Sequence, residues 1–205
     1  NLLVEYGRRL KQKVSKKTES MRISRLKRFR PTKSPPLVFI TGQNRFTIPK
    51  TDRKTLKEYL LEKHGMIFAS AGSPKFDRSF KDVMSAMLPT VHPVAIPLDD
   101  PIQKFPYQIP FFPYVAPHGS KESLGWKVEG RWVAFYHSGD IGDARADDHG
   151  GVRADVWEAC YQLCCNASLD RKSTRLHPSH NPTSYAFFCL YTTNHPFTLH
   201  FSCLA

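Results

Sequence analysis

The spacing of hydrophobic positions changes several times along this chain. Leu2, Leu3, Tyr6 and Leu10 recur at helical spacing among Arg and Lys, predicting an amphipathic helix over residues 1–14. After a polar stretch, Met21, Ile23 and Leu26 predict a short strand with Arg22 and Arg25 outward. Pro35-Pro36 ends this segment. The continuous apolar run Leu37–Thr41 then predicts a buried parallel strand that turns at Thr41-Gly42. A helix capped by Thr51 or Asp52 is expected to about Lys63, with Leu56, Tyr59 and Leu60 inward. His64-Gly65 stops it, with the glycine expected in the left-handed position. Met66–Ser70 predicts a second buried strand, Ser73 before Pro74 an N-cap, and Phe76, Phe80, Val83, Met84 and Met87 the next helix.

Residues 88–118 combine eight prolines with aromatics, predicting a long crossover pinned by proline rather than a polyproline ligand. Trp126–Trp132 predicts a hairpin with Glu129-Gly130 at its tip, leading into a third buried strand, Val133–His137. A polar segment from Ser138 to Gly151 follows, then a helix from Val152 to about Cys164. Strand and helix alternating in this way predicts an α/β fold, a three-layer domain built on a parallel sheet.

Charge divides the chain. Residues 1–34 hold 12 Lys/Arg against Glu5 and Glu19, whereas residues 35–169 balance, so the net charge of +12 belongs mostly to the N-terminal arm. A neutral domain with a basic arm is a weaker nucleic-acid signal than a basic stripe across a fold, so nucleic acid is not the expected partner. Outward Lys and Arg on a first helix and an edge strand account for the arm equally well. No run reaches the roughly 18 to 20 apolar residues that span a bilayer. The chain starts without Met inside a predicted helix and is expected to be a fragment.

The densest chemistry lies where the third strand hands over to a helix. His137, Asp140, Asp143, Asp147, Asp148 and His149, with Gly150 and Gly151, sit at the strand end where open α/β sheets bind ligands, beside the earlier strand end Thr41-Gly42. Such a set can hold a divalent cation or supply a general acid and base. The same aspartates also suit turns and a helix N-terminus, and their spacing is not that of an EF-hand. The metal and any cofactor stay open.

The block Gly139–Leu163 (GDIGDARADDHGGVRADVWEACYQL) resembles the C-terminal signature of an uncharacterised bacterial family, the domain-of-unknown-function family numbered four-one-five-nine. LVFITGQNRFTI and GSPKFDRSF resemble its earlier blocks, and the likeness covers roughly residues 1–166. The resemblance implies a flavodoxin-like, class I glutamine-amidotransferase-like fold. It also implies neighbours of the MoxR-type ATPase and von Willebrand-factor-like kinds, and a cell-envelope location, secreted or membrane-attached. Gln43 stands where that family usually has His, and Arg145 where it usually has Trp. The turn Ala69–Ser73 has no Cys, so glutaminase chemistry is disfavoured. The leading expectation is a non-catalytic domain that binds a partner or small ligand at the Asp/His loop. The alternatives are a hydrolase using Ser70 or Ser73 with His137 or His149, and nucleic-acid or membrane-surface binding through the arm.

From Asp170 the text changes character. Asp170–His180 resembles a translated sequencing adapter, so residues 167–205 are expected to be an artefactual, poorly ordered tail that leaves the domain incomplete at its C-terminus, with an open sheet edge. The expected organisation is therefore a 1–34 arm, a 35–166 α/β domain and the tail. Cys160, Cys164 and Cys165 share one helix without a second half for a zinc site, and the tail histidines are not read as a metal cluster.

Overall fold

A computed structural model describes residues 2–9, 11, 14–31, 34, 37–115, 119–142, 152–173, 185–191 and 198–204, and the side chains of 5, 7–9, 11, 22–31, 34, 37–115, 119–142 and 152–167. The arm forms α1 (Leu2–Arg9) and β1 (Val14–Arg22), followed by a 3-10 turn, Ile23–Arg28. The strand expected through Met21, Ile23 and Leu26 is corrected here. Ile23 and Leu26, three residues apart, fall on one side of the 3-10 turn and are fully buried.

The next elements are β2 (Leu37–Gly42), α2 (Lys50–Leu61), β3 (Met66–Ala71) and α3 (Pro74–Met87). Helix α2 starts behind Pro49, whose carbonyl accepts from Arg53 N at 2.9 Å, so neither Thr51 nor Asp52 caps it. At its other end the left-handed residue is His64, with φ of 51°, and not Gly65 as expected. Gly65 is needed for space instead: a Cβ there would lie 2.0 Å from Cζ of Tyr59. Helix α3 begins as expected, with Ser73 Oγ accepting from Phe76 N at 3.2 Å and Pro74 in the first turn.

The proline-rich crossover holds only β4 (Val94–Ala95) and the single turn α4 (Pro101–Lys104). Then come β5 (Ser123–Val128), β6 (Arg131–His137), α5 (Ala154–Ser173), β7 (Tyr185–Tyr191) and β8 (Thr198–Leu204). The strand order among the described residues is β1-β8-β7-β2-β3-β6-β5-β4. Strands β2, β3 and β6 are parallel, but β5 is antiparallel to β6 and β4 to β5. The sheet is therefore mixed, which corrects the expectation of a parallel one. The reason is the turn Glu129-Gly130, with φ of 50° and 76°, because a two-residue loop can only join antiparallel neighbours. Two segments of the tail, Tyr185–Tyr191 and Thr198–Leu204, are described as strands. The tail's apolar, aromatic run forms β7 parallel to β2, and β8 joins β7 to β1, so the outer edge of β2 is covered.

One buried cluster packs α2, α3 and the 3-10 turn against one face of the sheet, through Leu56, Tyr59, Phe76, Phe80 and Met84 against Val38, Ile40, Ile67 and Tyr136. A second packs α5 and the crossover against the other face, through Ala159, Cys160, Leu163 and Cys164 against Phe39, Phe68 and Phe135. Helix α1 docks on α5, where the nearly buried Arg9 guanidinium forms a bidentate pair with Glu158 and lies 5.2 Å from the Tyr161 ring. Asn166 ties α5 to the crossover, accepting from Tyr107 N at 3.0 Å and donating to Tyr107 O at 2.7 Å. Among the described residues no helix is long and apolar enough to cross a membrane.

Candidate functional site

Side chains alternate along a strand, so the residue two beyond each buried aromatic returns to the same face. Beyond Phe39, Phe68 and Phe135 these residues are Thr41, Ser70 and His137. Strand register places them side by side: Thr41 opposite Ser70, and Ser70 opposite His137. Across the hairpin, His137 is paired with Ser123. The result is a polar row, Thr41-Ser70-His137-Ser123, crossing four neighbouring strands on the α5 face. It lies at the C-terminal ends of the three parallel strands, where open α/β sheets bind ligands.

The loop after β6 closes over this row. Gly139 N donates to His137 Nδ1 at 2.9 Å, and Gly142 N donates to Ser70 Oγ at 3.2 Å. From the crossover side, Val115 N donates to Gly139 O at 3.0 Å and Ser120 N to Ser138 Oγ at 2.7 Å. Ile141 is fully buried in the α5-side core, anchoring the loop between these bonds. Asp140 takes a left-handed conformation, φ 47°, and its carboxylate reaches the turn after β3: a Cβ at Gly72 would lie 3.0 Å from Asp140 Oδ2.

Burial governs the electrostatics. Desolvation pushes the His137 pKa down to about 4, so the imidazole is neutral at pH 7. The Lys121 backbone lies close enough to favour the charged form but completes no hydrogen bond to Nε2. Because Nδ1 accepts from Gly139, the proton is assigned to Nε2. Nε2 and the Ser123 hydroxyl find no hydrogen-bond partner among the described residues. Such groups gain when a polar ligand supplies one.

Of the residues singled out from sequence, Thr41, Gly42, His137 and Asp140 come together at this rim. Gly42 contributes its carbonyl to Gly72 N at 2.9 Å. Asp143, Asp147, Asp148, His149, Gly150 and Gly151 lie outside the described residues. Sequence reasoning missed Ser123 and the loop-holding Ser138. The signal for Ser123 was its register with His137, which is not readable until the hairpin is paired. Among the described residues no cluster of three or more His, Cys, Asp or Glu is placed to hold a metal ion.

The serines of the hydrolase alternative are otherwise engaged. Ser73 Oγ caps α3 and donates to the Gln43 carbonyl, while Ser70 is fully buried and accepts from Gly142 N. The three helix cysteines are buried and outside any disulfide, and desolvation pushes the Cys165 thiol up to about 12, far from a reactive thiolate.

The block Gly72–Phe80 is built into the fold residue by residue. Phe76 and Phe80 fill the core, Asp77 accepts from the Tyr136 hydroxyl, and Ser79 Oγ accepts from Phe46 N at 3.1 Å. Over residues 1–169 the chain matches the family model of the Domain of unknown function (DUF4159). The chain belongs to this family. The DUF4159 match includes the whole of β2, β3, β6 and the loop that closes the polar row. No curated protein matches the chain.

Proposed function

We propose that this domain binds a partner protein or small ligand, without catalysis, at the rim formed by Thr41, Gly42, His137 and Asp140, with Asp143, Asp147, Asp148, His149, Gly150 and Gly151 as the members of the same site expected from sequence. The observation that carries this reading is the polar row held in register at the ends of the parallel strands. Two of its groups, His137 Nε2 and Ser123 Oγ, are buried with hydrogen-bonding capacity to offer. A neutral imidazole and hydroxyls suit polar recognition, and the serines committed to capping and loop anchoring favour binding over nucleophilic attack. Packing of helices on both faces of the sheet supports the finer reading of a flavodoxin-like, amidotransferase-like layering. The resemblance to the family supports MoxR-type ATPases and von Willebrand-factor-like proteins of the cell envelope as partners. The basic arm is a weaker candidate, since Arg9 is spent on Glu158 and α5.

The test is a melting shift of the full chain on adding calcium chloride, magnesium chloride or soluble peptidoglycan fragments, with co-purification of a co-expressed MoxR-type ATPase as a parallel arm. A saturable shift or stoichiometric capture, lost in Asp140→Ala and in the Asp147→Ala/Asp148→Ala/His149→Ala variant, is expected. Silence in every arm, or a response that both variants retain, overturns the reading.

A further inference from the structure

On the opposite face of the sheet from the polar row, the segment after β2 and the start of α3 enclose a cleft of about 320 Å³. Its volume sits at the lower end of the range for small-molecule sites, about 300–1,000 Å³. Three arginines line it: Arg45 from the loop after β2, Arg53 from the first turn of α2 and Arg78 from the first turns of α3. Asp82 is the single carboxylate among the lining residues, which leaves two positive charges in excess. Arg45, Arg78 and Asp82 make no ion pair among the described residues, although opposite charges border the same space.

The walls are fixed before any ligand arrives. Phe46 is buried, its ring 4.8 Å from that of Phe76 and its N–H donating to Ser79 Oγ at 3.1 Å. Arg53 Nη1 donates to the Ile48 carbonyl at 3.1 Å, leaving the rest of its fork for another acceptor. Phe46, Ile48 and Val83 give the cleft an apolar floor. The nearby start of α2 has no side-chain cap, so its partial positive charge adds to the field.

We infer that this cleft binds a small phosphate-bearing molecule, its phosphate held by Arg45, Arg53 and Arg78 and its organic body on Phe46, Ile48 and Val83. Planar guanidinium forks match phosphate oxygens two at a time, and a cluster of three suits a group carrying more than one negative charge. Asp82 then accepts from a hydroxyl or amino group of the same ligand. The rim site on the other face plays no part in this inference.

The full chain is titrated calorimetrically with pyrophosphate at constant ionic strength, with succinate as the comparator. Saturable pyrophosphate binding with Kd below about 1 mM is expected. Arg45→Ala/Arg78→Ala, two exposed positions, weakens it at least about tenfold while shifting the melting temperature without anion by less than about 2 °C. Asp82→Asn tightens it roughly twofold or more, by removing the one repulsive charge. Absence of saturable binding, equal affinity in the double variant, or succinate binding as tightly as pyrophosphate overturns the inference.

Discussion

Gly142, in the loop after β6, donates its amide to the hydroxyl of Ser70, the penultimate residue of β3, at 3.2 Å. This one bond fastens the loop that carries Asp140 to the strand that stands next to His137. A buried serine at a strand end is thereby an anchor for the rim. Ser70→Ala leaves the Gly142 amide without its acceptor and is expected to cost about 1–3 kcal/mol. Urea unfolding checks the loss, and an unchanged midpoint would show that the loop holds without this bond.

His137 gives stability a defined pH dependence. Its pKa is near 6.5 when unfolded and about 4 when folded, so between these values the unfolded chain holds more protons. Its contribution is complete above about pH 6.5 and is lost as pH falls to 4, with a span of about 3 kcal/mol. Unfolding free energies measured from pH 7 to pH 4 should fall more steeply in the wild type than in His137→Gln. Parallel slopes would refute the assignment.

Asn166 acts as a two-sided clamp on the Tyr107 backbone. Asn166→Ala removes both bonds and leaves the part-buried Tyr107 N–H and carbonyl without this partner, an expected loss of about 1–3 kcal/mol. Asn166→Asp sets a carboxylate oxygen against the Tyr107 carbonyl in a buried position, and is expected to cost at least as much as alanine at neutral pH. Thermal melts of the three proteins give the order.

Gly65 and Tyr59 are coupled by contact. A methyl at Gly65 collides with the Tyr59 ring, whose hydroxyl also bridges to the Met66 backbone at 3.3 Å. Gly65→Ala is expected to cost about 1–3 kcal/mol by overpacking. In Tyr59→Ala the same change should cost much less, and a double-mutant cycle measures that difference. Additive effects would place the cost in the backbone instead.

Much of the fold was legible because local pattern and burial agreed. The apolar runs at Leu37–Thr41, Met66–Ser70 and Val133–His137 became central strands, and Ser73-Pro74 started its helix as read. Where local chemistry had competitors it misled. Thr51 and Asp52 are good caps, but the helix starts behind Pro49, two residues before the first of them. Gly65 is a good left-handed residue, yet His64 took that role, and Gly65 is needed instead where the Tyr59 ring leaves room for nothing larger than hydrogen. The strand expected at Met21–Leu26 broke into a 3-10 turn, whose spacing of three buries Ile23 and Leu26 together.

By itself the amino-acid order determined the three central strands and the helices α2, α3 and α5, and that chemistry gathers where strands end, because apolar period and turn residues act over a few neighbours. The tertiary structure alone decided that Thr41, Ser70, His137 and Ser123 stand in one row and that Arg45, Arg53 and Arg78 share one cleft. Register between strands, and the approach of a loop to a distant helix, are set by packing between residues far apart in the chain. No local pattern encodes that distance.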